Sequence, residues 1–246
     1  MRLQPASFRD IQTPTGRMRT HWFAPDCDRA VPAVMLYSEI YQMTGPIART
    51  AAMLAGHGYL VAVPEVYHEY ADPGEAFAYD ADGTERGNRL KITKPVSAFD
   101  DDSNSLVETL MTDDQCSGEI ASLGICLGGH LAFRAAMNPR VAAGICLYAT
   151  DIHKRSLGAG MSDDTLDRIS ELRAEMLMIW GRQDPHIPSE GRRLIYEAME
   201  SATVPFTWHE FNGEHAFLRD EGHRYDPAHA HLVYTMMLHH LRRTVG

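Results

Sequence analysis

The six residues Gly124-Ile125-Cys126-Leu127-Gly128-Gly129 constrain the fold of this chain more than any other stretch. An apolar segment precedes them and a segment with helical apolar spacing follows, so the pattern predicts a strand, an abrupt turn and a helix. Glycines flanking Cys126 would let the two backbones approach closely. The thiol would then lie at the carboxyl edge of a sheet beside a helix N-terminus, which favours a thiolate. A buried structural cysteine is the alternative interpretation.

Continuous apolar segments alternate with amphipathic ones along the rest of the chain. Segments near Ser7–Ile11 and Arg17–Phe23 predict an edge hairpin. The further strands are predicted near Pro32–Tyr37, Gly58–Pro64, Ile120–Ile125, Val141–Tyr148, Ala174–Trp180 and Pro205–Phe211, and the helices near Pro46–Gly56, Phe99–Thr112, Gly128–Met137, Asp163–Arg173, Ser189–Ser201 and Pro227–Arg242. This order predicts an α/β fold whose mostly parallel sheet is covered on both faces. The 246 residues suit one domain over 1–246.

The segment from about Glu65 to Pro95 interrupts the alternation. It is rich in Tyr, Asp, Gly and charged residues and has little periodicity. A loop of this length within a compact domain usually has a function. We therefore interpret residues 65–95 as a cover segment over a site, built on the same domain.

Charge and cysteine content limit the possible partners and compartments. The chain has 23 Lys and Arg against 33 Asp and Glu, a formal net charge of −10, which disfavours nucleic acid as a partner. Its start lacks the apolar core of a signal peptide, and no stretch is long enough to span a membrane. The four cysteines have no C-x-x-C spacing, so neither a zinc site nor a disulfide framework is indicated. These features predict a cytoplasmic protein; they leave the oligomeric state open.

A nucleophilic thiol needs a base and a group that orients the base. Asp184 and His215 each follow a predicted strand, so both would reach the carboxyl edge where Cys126 lies. The chain order of nucleophile, acid and histidine is that of α/β-hydrolases. Asp184 could instead cap a turn before Pro185, and Asp151 is the reserve acid. The rival histidines are His186, His209 and His223.

Four motifs together resemble the dienelactone hydrolase family. They are Glu39-Ile40 after the first buried strand, the six residues around Cys126, Gly-Arg-Gln-Asp184, and Glu-His215-Ala-Phe-Leu-Arg219, and the resemblance spans roughly residues 32–242. It implies an α/β-hydrolase fold with about eight strands and helices on both faces of the sheet. It also implies a carboxylic ester hydrolase that needs no cofactor and no metal.

The resemblance assigns roles to individual residues. Cys126 is similar to the family's nucleophile, His215 to its base and Asp184 to the acid that orients it. Glu39 resembles a carboxylate that contacts the resting thiol and helps to deprotonate it when substrate arrives, although an ordinary loop carboxylate is the alternative. The oxyanion hole is expected from the backbone N–H groups of Leu127 and Ile40.

Three further residues are candidates for substrate binding. Arg219 stands four residues after His215, where the family has an arginine for a substrate carboxylate, and Arg86 resembles a second one from the cover segment. Either arginine could instead be solvated and paired with a neighbour, Asp220 or Glu85 respectively. Tyr67 could line the pocket or simply pack.

The predicted function is hydrolysis of a small ester or lactone, of dienelactone type and possibly bearing a carboxylate, through an acyl intermediate on Cys126. A hydrolase-shaped binding or regulatory protein with idle chemistry is the alternative from another class. A third hypothesis is metal binding by the C-terminal histidines, but their helical spacing does not converge on one ion, so we expect solvated side chains. These are His229, His231, His239 and His240.

Overall fold

The computed structural model describes residues 1–246 and contains one eight-stranded sheet. The strands are β1 Ser7–Thr13, β2 Gly16–Phe23, β3 Val31–Tyr37, β4 Leu60–Pro64, β5 Cys116–Ile125, β6 Val141–Leu147, β7 Glu175–Gly181 and β8 Phe206–Phe211. Their order across the sheet is β1-β2-β4-β3-β5-β6-β7-β8. Strand β2 pairs antiparallel with β1 and β4, and all other pairs are parallel. The predicted edge hairpin and the mostly parallel sheet are confirmed.

Six helices accompany the sheet. They are α1 Gly45–Gly56, α2 Ala81–Lys91, α3 Val96–Met111, α4 Leu127–Ala135, α5 Ser189–Ser201 and α6 Pro227–Thr244. All five residues of β4 are buried, as are most residues of the other central strands. Burial along continuous apolar strands requires that both faces of a sheet be covered. None of the helices combines the length and apolarity that crossing a bilayer requires.

Two predicted elements differ from the structure. The helix predicted over Asp163–Arg173 is wrong, because these residues form turns and a short 3₁₀ helix at Ile169–Glu171. The carboxylate of Asp163 accepts the backbone N–H groups of Leu157 at 3.0 Å and Thr165 at 3.1 Å. Aspartate side chains that bind nearby backbone donors in this way favour turns over a continuing helix.

The cover segment is also more regular than predicted, because it contains helix α2. The carboxylate of Asp80 caps the start of this helix by accepting the backbone N–H of Gly83 at 2.8 Å. The buried positions of α2 are Gly83, Gly87 and Leu90. Since two of these three are glycines, the helix has almost no apolar stripe, and a search for hydrophobic periodicity overlooks it.

The fully buried side chain of Lys94 connects the two ends of the cover segment. Its ammonium donates to the carbonyl oxygen of Val66 at 2.9 Å and to the carboxylates of Glu69 and Asp102. Asp102 lies on α3, and its other oxygen is 3.0 Å from Nε2 of His68. The start of the segment, its end and α3 are therefore joined by one buried ionic network.

Candidate active site

The site lies at the carboxyl edge of the sheet, because each candidate side chain follows a different parallel strand. Glu39 follows β3, Cys126 follows β5, Asp184 follows β7 and His215 follows β8. Parallel strands β3, β5, β6, β7 and β8 are neighbours in the sheet, so their ends converge on one side. The fold thus brings together four groups that are far apart in sequence.

Cys126 lies at the sharp turn between β5 and α4 and has a strained backbone, with φ of 61° and ψ of −118°. A Cβ atom on Gly124 would overlap the carbonyl group of Gly128, so the strand and the helix approach this closely only with glycine there. Such a turn exposes the nucleophile of an α/β-hydrolase at the top of the sheet. The Cys126 side chain is half-buried and lines a cleft, in contrast to the fully buried Cys146.

Asp184 and His215 form a buried pair. The Nδ1–H of His215 donates to Oδ2 of Asp184 at 2.6 Å, and the other oxygen of Asp184 accepts the backbone N–H of His186 at 2.8 Å. With both oxygens occupied, the carboxylate is fixed in place and orients the imidazole so that Nε2 is left for the cleft. Asp184 therefore does both things that the sequence analysis treated as alternatives: one carboxylate oxygen caps the turn and the other holds His215.

The electrostatics of His215 depend on its two neighbours. Burial by itself would lower the pKa of His215, but a Cys126 thiolate and the hydrogen bond that His215 donates to Asp184 outweigh burial and raise the pKa to about 10. The imidazolium form is therefore favoured whenever the sulfur is ionised. A histidine that can take and return a proton at this position is suited to general acid–base chemistry.

Glu39 is buried and contacts two side chains that face the same cleft. One carboxylate oxygen accepts the hydroxyl of Tyr79 at 3.0 Å, and the other lies 3.6 Å from the guanidinium of Arg219. Burial raises the pKa of Glu39, while Arg219 and the Tyr79 hydroxyl act in the opposite direction. Glu39 and Cys126 line the same cleft, but the carboxylate makes no hydrogen bond to the thiol, so the contact predicted from the family is absent.

Arg219 is held over an aromatic ring at the edge of the cleft. Its guanidinium carbon lies 4.3 Å from the ring centroid of Tyr79, and its Nε–H donates to the carbonyl of Glu221 at 3.0 Å. The Tyr79 hydroxyl also lies 2.7 Å from the hydroxyl of Thr44. Arg219 does not pair with Asp220, which instead binds Arg49.

The backbone N–H groups of Ile40 and Leu127 have no acceptor within the protein. Leu127 is the first residue of α4, where the N–H groups have no partner inside the helix. Ile40 follows Glu39 and lines the cleft, and its carbonyl is in close contact with Gly87 of α2. Two unpaired donors beside a nucleophile are what a developing oxyanion requires, and Cys126 is the candidate nucleophile here.

The cleft between the cover segment and the sheet edge has a volume of about 880 Å³, and most of the residues that line it are polar or charged. Thirteen lining residues were missed by the sequence analysis, and seven of them lie in the cover segment, which was treated as one unit. The missed residues are Tyr41, Tyr79, Asp80, Ala81, Thr84, Glu85, Asn88, Lys91, Thr150, Lys154, Glu221, Gly222 and Arg224. The sequence signal that could have identified them is the high frequency of aromatic and charged residues in the segments that follow the strands.

Arg86 and Tyr67 lie outside the lining of this cleft. Arg86 donates to both carboxylate oxygens of Glu75, one at 2.8 Å, and stacks 4.3 Å from the ring centroid of Phe77. Tyr67 is fully buried, and its hydroxyl donates to the carbonyl of Gly87 at 3.1 Å. Neither predicted substrate-binding role gains support: Arg86 already has a carboxylate partner, though Glu75 rather than Glu85, and Tyr67 packs beneath α2.

The rival residues occupy different positions. His209 lies within β8, whereas His186 and His223 line the cleft. The ring of His186 packs edge-on against that of His215, with centroids 4.7 Å apart. Asp151, the reserve acid, also lines the cleft, but its carboxylate binds the ammonium of Lys91 at 2.9 Å. Only Asp184 holds the imidazole of His215.

Two histidines of the C-terminal helix differ from the expectation of solvated side chains. The ring of His229 packs against those of Phe211 and Phe217. His240 is buried, and its Nε2 lies 3.1 Å from the carbonyl of Glu175 on β7. Elsewhere, His68, Glu69 and Asp102 have the mutual distances of metal ligands. The ammonium of Lys94 already binds both of these carboxylates, so a further cation at that position would meet its positive charge.

The eight-stranded, mostly parallel sheet with a strained turn at Cys126 after β5 defines an α/β-hydrolase fold. A candidate dienelactone hydrolase from Klebsiella pneumoniae has this fold, with a TM-score of 0.85 at 20% identity over 98% of this chain and 99% of that one. A dienelactone hydrolase-like promiscuous phosphotriesterase from metagenomic libraries gives a TM-score of 0.80 at 16% identity over 100% of both chains. At such identities the likeness concerns the fold alone.

Sequence comparison identifies the family. The model of the dienelactone hydrolase family matches residues 18–245. A candidate carboxymethylenebutenolidase of Saccharomyces cerevisiae is 42% identical over 225 residues, which cover 87% of this chain and 82% of that protein. A carboxymethylenebutenolidase of a Pseudomonas species is 25% identical over 230 residues, with 93% and 91% covered. The chain belongs to the dienelactone hydrolase family and is a carboxylic ester hydrolase.

Proposed function

We propose that this enzyme hydrolyses a small ester or lactone, of dienelactone type, through an acyl intermediate on Cys126. The observation that carries the proposal is the Asp184–His215 hydrogen bond of 2.6 Å beside a cysteine at the nucleophile turn. Nucleophile, base and orienting acid are the three parts that covalent catalysis of acyl transfer needs. Relatives named carboxymethylenebutenolidases support a lactone as substrate.

In the proposed first half-reaction, the Cys126 thiolate attacks the carbonyl carbon of the substrate. His215, assisted by the carboxylate of Glu39, receives the thiol proton as the substrate enters. The negative oxygen accepts the N–H groups of Ile40 and Leu127, whose unpaired state in the structure supports this role. Protonated His215 then gives its proton to the leaving oxygen as the carbon–oxygen bond breaks.

In the second half-reaction, water hydrolyses the thioester. His215 removes a proton from the water, the oxygen attacks the acyl carbon, and the carbon–sulfur bond breaks to release the acid and restore Cys126. Arg219 is the proposed partner for a carboxylate on the substrate, because it lies in the cleft and makes only a long contact with Glu39, at 3.6 Å. No step requires a metal or an organic cofactor.

The test is hydrolysis of 4-nitrophenyl acetate and of a dienelactone by the Cys126→Ala variant. We expect turnover to fall to the level of the uncatalysed reaction, while Cys27→Ala, at another partly exposed cysteine, retains wild-type activity. Mass spectrometry of the wild type quenched during turnover should detect an acyl adduct on Cys126. Full activity of Cys126→Ala would exclude the mechanism, and an inert wild type would favour an idle binding protein.

A reducing compartment, the cytoplasm, is the proposed location. All four cysteines are free in the structure, and three of them, Cys27, Cys116 and Cys126, are only half-buried. A nucleophilic thiol stays active where it is protected from oxidation.

A further inference from the structure

The end of helix α2 is joined to the loop after β6 by three contacts. The ammonium of Lys91, the last residue of α2, donates to a carboxylate oxygen of Asp151 at 2.9 Å. The backbone N–H of Gly158 donates to the carbonyl of Lys91 at 3.1 Å. The N–H of Ala159 donates to the carbonyl of Lys94 at 2.9 Å. We call these three contacts the seam, because they close the cover segment onto the loop after β6.

The seam lies next to the candidate nucleophile. Strand β6, which leads to Asp151, is the neighbour of β5, which leads to Cys126, and neighbouring strands are about 4.8 Å apart. The backbone N–H of Thr150 donates to the carbonyl of Cys126 at 3.2 Å, so Asp151 is one residue away from a direct contact with the nucleophile turn. Lys91 and Asp151 line the same cleft as Cys126. Their ion pair is therefore a wall of the cleft close to the sulfur.

Asp151 is held at this position by its backbone and by its charge. Its φ angle is 69°, in the left-handed region that few residues other than glycine adopt. Backbone strain of this kind persists where the surrounding structure over-determines it, and it is concentrated at functional sites. Burial by itself would raise the pKa of Asp151, but the charge of Lys91 and its hydrogen bond outweigh burial and hold the pKa below its usual value. The carboxylate therefore stays ionised and keeps the Lys91 side chain in place.

The ion pair acts on a substrate through its bulk rather than its charge. Only 15% of the Lys91 side chain and 11% of the Asp151 side chain are exposed. One oxygen of Asp151 is occupied by Lys91, and the other accepts the hydroxyl of Ser156 at 3.1 Å. What a substrate meets at the seam is the four-carbon stem of the lysine.

We propose that the Lys91–Asp151 ion pair limits the size of the ester that can react at Cys126. The inference rests on the proposed function, in which Cys126 attacks the ester carbonyl. The part of the ester that faces the seam, acyl or alcohol, is then restricted to a short chain. The whole cleft, at about 880 Å³, has room for much larger ligands, so the restriction is local to the seam. The preferred substrates are compact esters and lactones, and Lys91 is a specificity-determining residue.

Two double variants that differ only in bulk test the proposal. Lys91→Ala/Asp151→Asn removes the stem, and Lys91→Met/Asp151→Asn keeps a side chain of similar length; neither leaves an unpaired charge. Asparagine tolerates the left-handed backbone at position 151. One substrate series lengthens the acyl part, from 4-nitrophenyl acetate to the hexanoate. The other lengthens the alcohol part, from phenyl acetate to 4-butylphenyl acetate.

In one of the two series, we expect the wild type to have a kcat/KM for the longer ester at least about tenfold below that for the shorter one. Lys91→Ala/Asp151→Asn should reduce this difference to about threefold or less, whereas Lys91→Met/Asp151→Asn should retain it. Arg89→Ala is the control on the same helix, because Arg89 is 62% exposed and lies outside the cleft lining, and it should behave as the wild type. Equal discrimination by the two double variants in both series would overturn the proposal while leaving the proposed hydrolysis intact.

Access to the sulfur can also be measured without ester hydrolysis. S-methyl and S-hexyl methanethiosulfonate each transfer their alkylthio group to the Cys126 sulfur and release methanesulfinate, and mass spectrometry of the peptide that contains Cys126 gives the two rates. The ratio of the hexyl rate to the methyl rate should rise in Lys91→Ala/Asp151→Asn and stay at the wild-type value in Lys91→Met/Asp151→Asn. If the wild type hydrolyses no ester, this ratio decides the matter: a ratio that is the same in both double variants overturns the size limit, and a raised ratio in the alanine variant alone supports it although the proposed function has failed.

Discussion

The hydroxyl of Tyr79 donates a hydrogen bond of 3.0 Å to the buried carboxylate of Glu39. Tyr79 belongs to the cover segment, while Glu39 belongs to the loop after β3 at the sheet edge. The same tyrosine ring supports the guanidinium of Arg219. One residue of the cover segment therefore positions both charged groups that flank the candidate nucleophile.

Removing this hydroxyl should change the pH dependence of the reaction. The hydrogen bond from Tyr79 lowers the pKa of Glu39 against the effect of burial, so Tyr79→Phe should raise that pKa further. If ionised Glu39 assists catalysis, the acidic limb of kcat/KM moves to higher pH, with a loss of about tenfold below it. Tyr41→Phe is the control, because the Tyr41 hydroxyl also borders the cleft but contacts Thr84. Identical profiles for both variants would contradict the role of Tyr79.

Asp184→Asn should reduce kcat by about 10²–10⁴-fold, because an amide cannot hold the same tautomer of His215 or stabilise its charge. The pKa of His215 should fall at the same time, since Asp184 helps to raise it. Asp151→Asn is the matched control, because Asp151 lines the same cleft but binds Lys91. A larger kinetic loss for Asp151→Asn than for Asp184→Asn would make Asp151 the acid instead. Steady-state kinetics at several pH values measures both.

The protonation of His215 should depend on the sulfur of Cys126. A Cys126 thiolate contributes to raising the pKa of His215 to about 10, so Cys126→Ala should lower that pKa. The imidazole would then lose its proton at a lower pH than in the wild type. NMR titration of the His215 ring signals in both proteins is the measurement, and Cys27→Ala should titrate like the wild type. A pKa that is the same with and without the sulfur would refute the coupling.

Gly87→Ala should impair catalysis through the backbone of Ile40. A Cβ at Gly87 would overlap the carbonyl group of Ile40, so the loop that supplies the expected oxyanion N–H must shift. A misplaced oxyanion donor costs about 10²–10³-fold in kcat. Gly56→Ala in α1 is the control, because a Cβ there meets no atom within 4 Å. Steady-state kinetics measures kcat, and thermal unfolding measures stability. If Gly87→Ala kept both at the wild-type level, the close contact between Gly87 and Ile40 would be contradicted.

Lys94→Met should destabilise the fold by about 3–5 kcal/mol, because the buried carboxylate of Asp102 loses its ammonium partner and keeps only the contact with His68. Adding Asp102→Leu should recover part of this loss by removing the unpaired charge. Lys154→Met, at an exposed lysine, should change stability by about 0.5 kcal/mol or less. Urea unfolding of the three variants measures the free energies. Equal stability of Lys94→Met and the wild type would exclude the network as a source of stability.

The sheet and the positions of the reacting groups could be predicted from local sequence. Continuous apolar runs and the glycines around Cys126 identify strands and the sharp turn without knowledge of their partners. Asp184 and His215 follow predicted strands, and parallel topology alone brings such positions to one edge. The helix predicted over residues 163–173 was wrong because Asp163 binds backbone donors, a local competition that periodicity does not reveal.

The cover segment could not be predicted in the same way. Two of the three buried positions of helix α2 are glycines, so its buried face has no apolar pattern that a sequence search would detect. The position of the helix is fixed by tertiary contacts such as the hydrogen bond from Tyr67 to Gly87. Arg86 has a side chain that could bind a substrate carboxylate, yet its guanidinium already forms an ion pair with Glu75 of the same segment. Spacing in a sequence does not show which of several charges a guanidinium meets. The role of Tyr79 was overlooked because its contacts with Glu39 and Arg219 are likewise tertiary and leave no pattern in the sequence.

The buried ammonium of Lys94 gives the cover segment a fixed base, since it bridges Val66 at one end to its own position at the other. The residues between these two anchors form a module whose chain leaves and rejoins the hydrolase scaffold at neighbouring positions, and which contacts that scaffold through Tyr79 and Gly87. Transplanting such a module between homologues, with both anchors retained, would exchange substrate preference without rebuilding the sheet. The graft would also include Tyr79, so a change in substrate preference would be accompanied by a change in the contacts of Glu39 and Arg219.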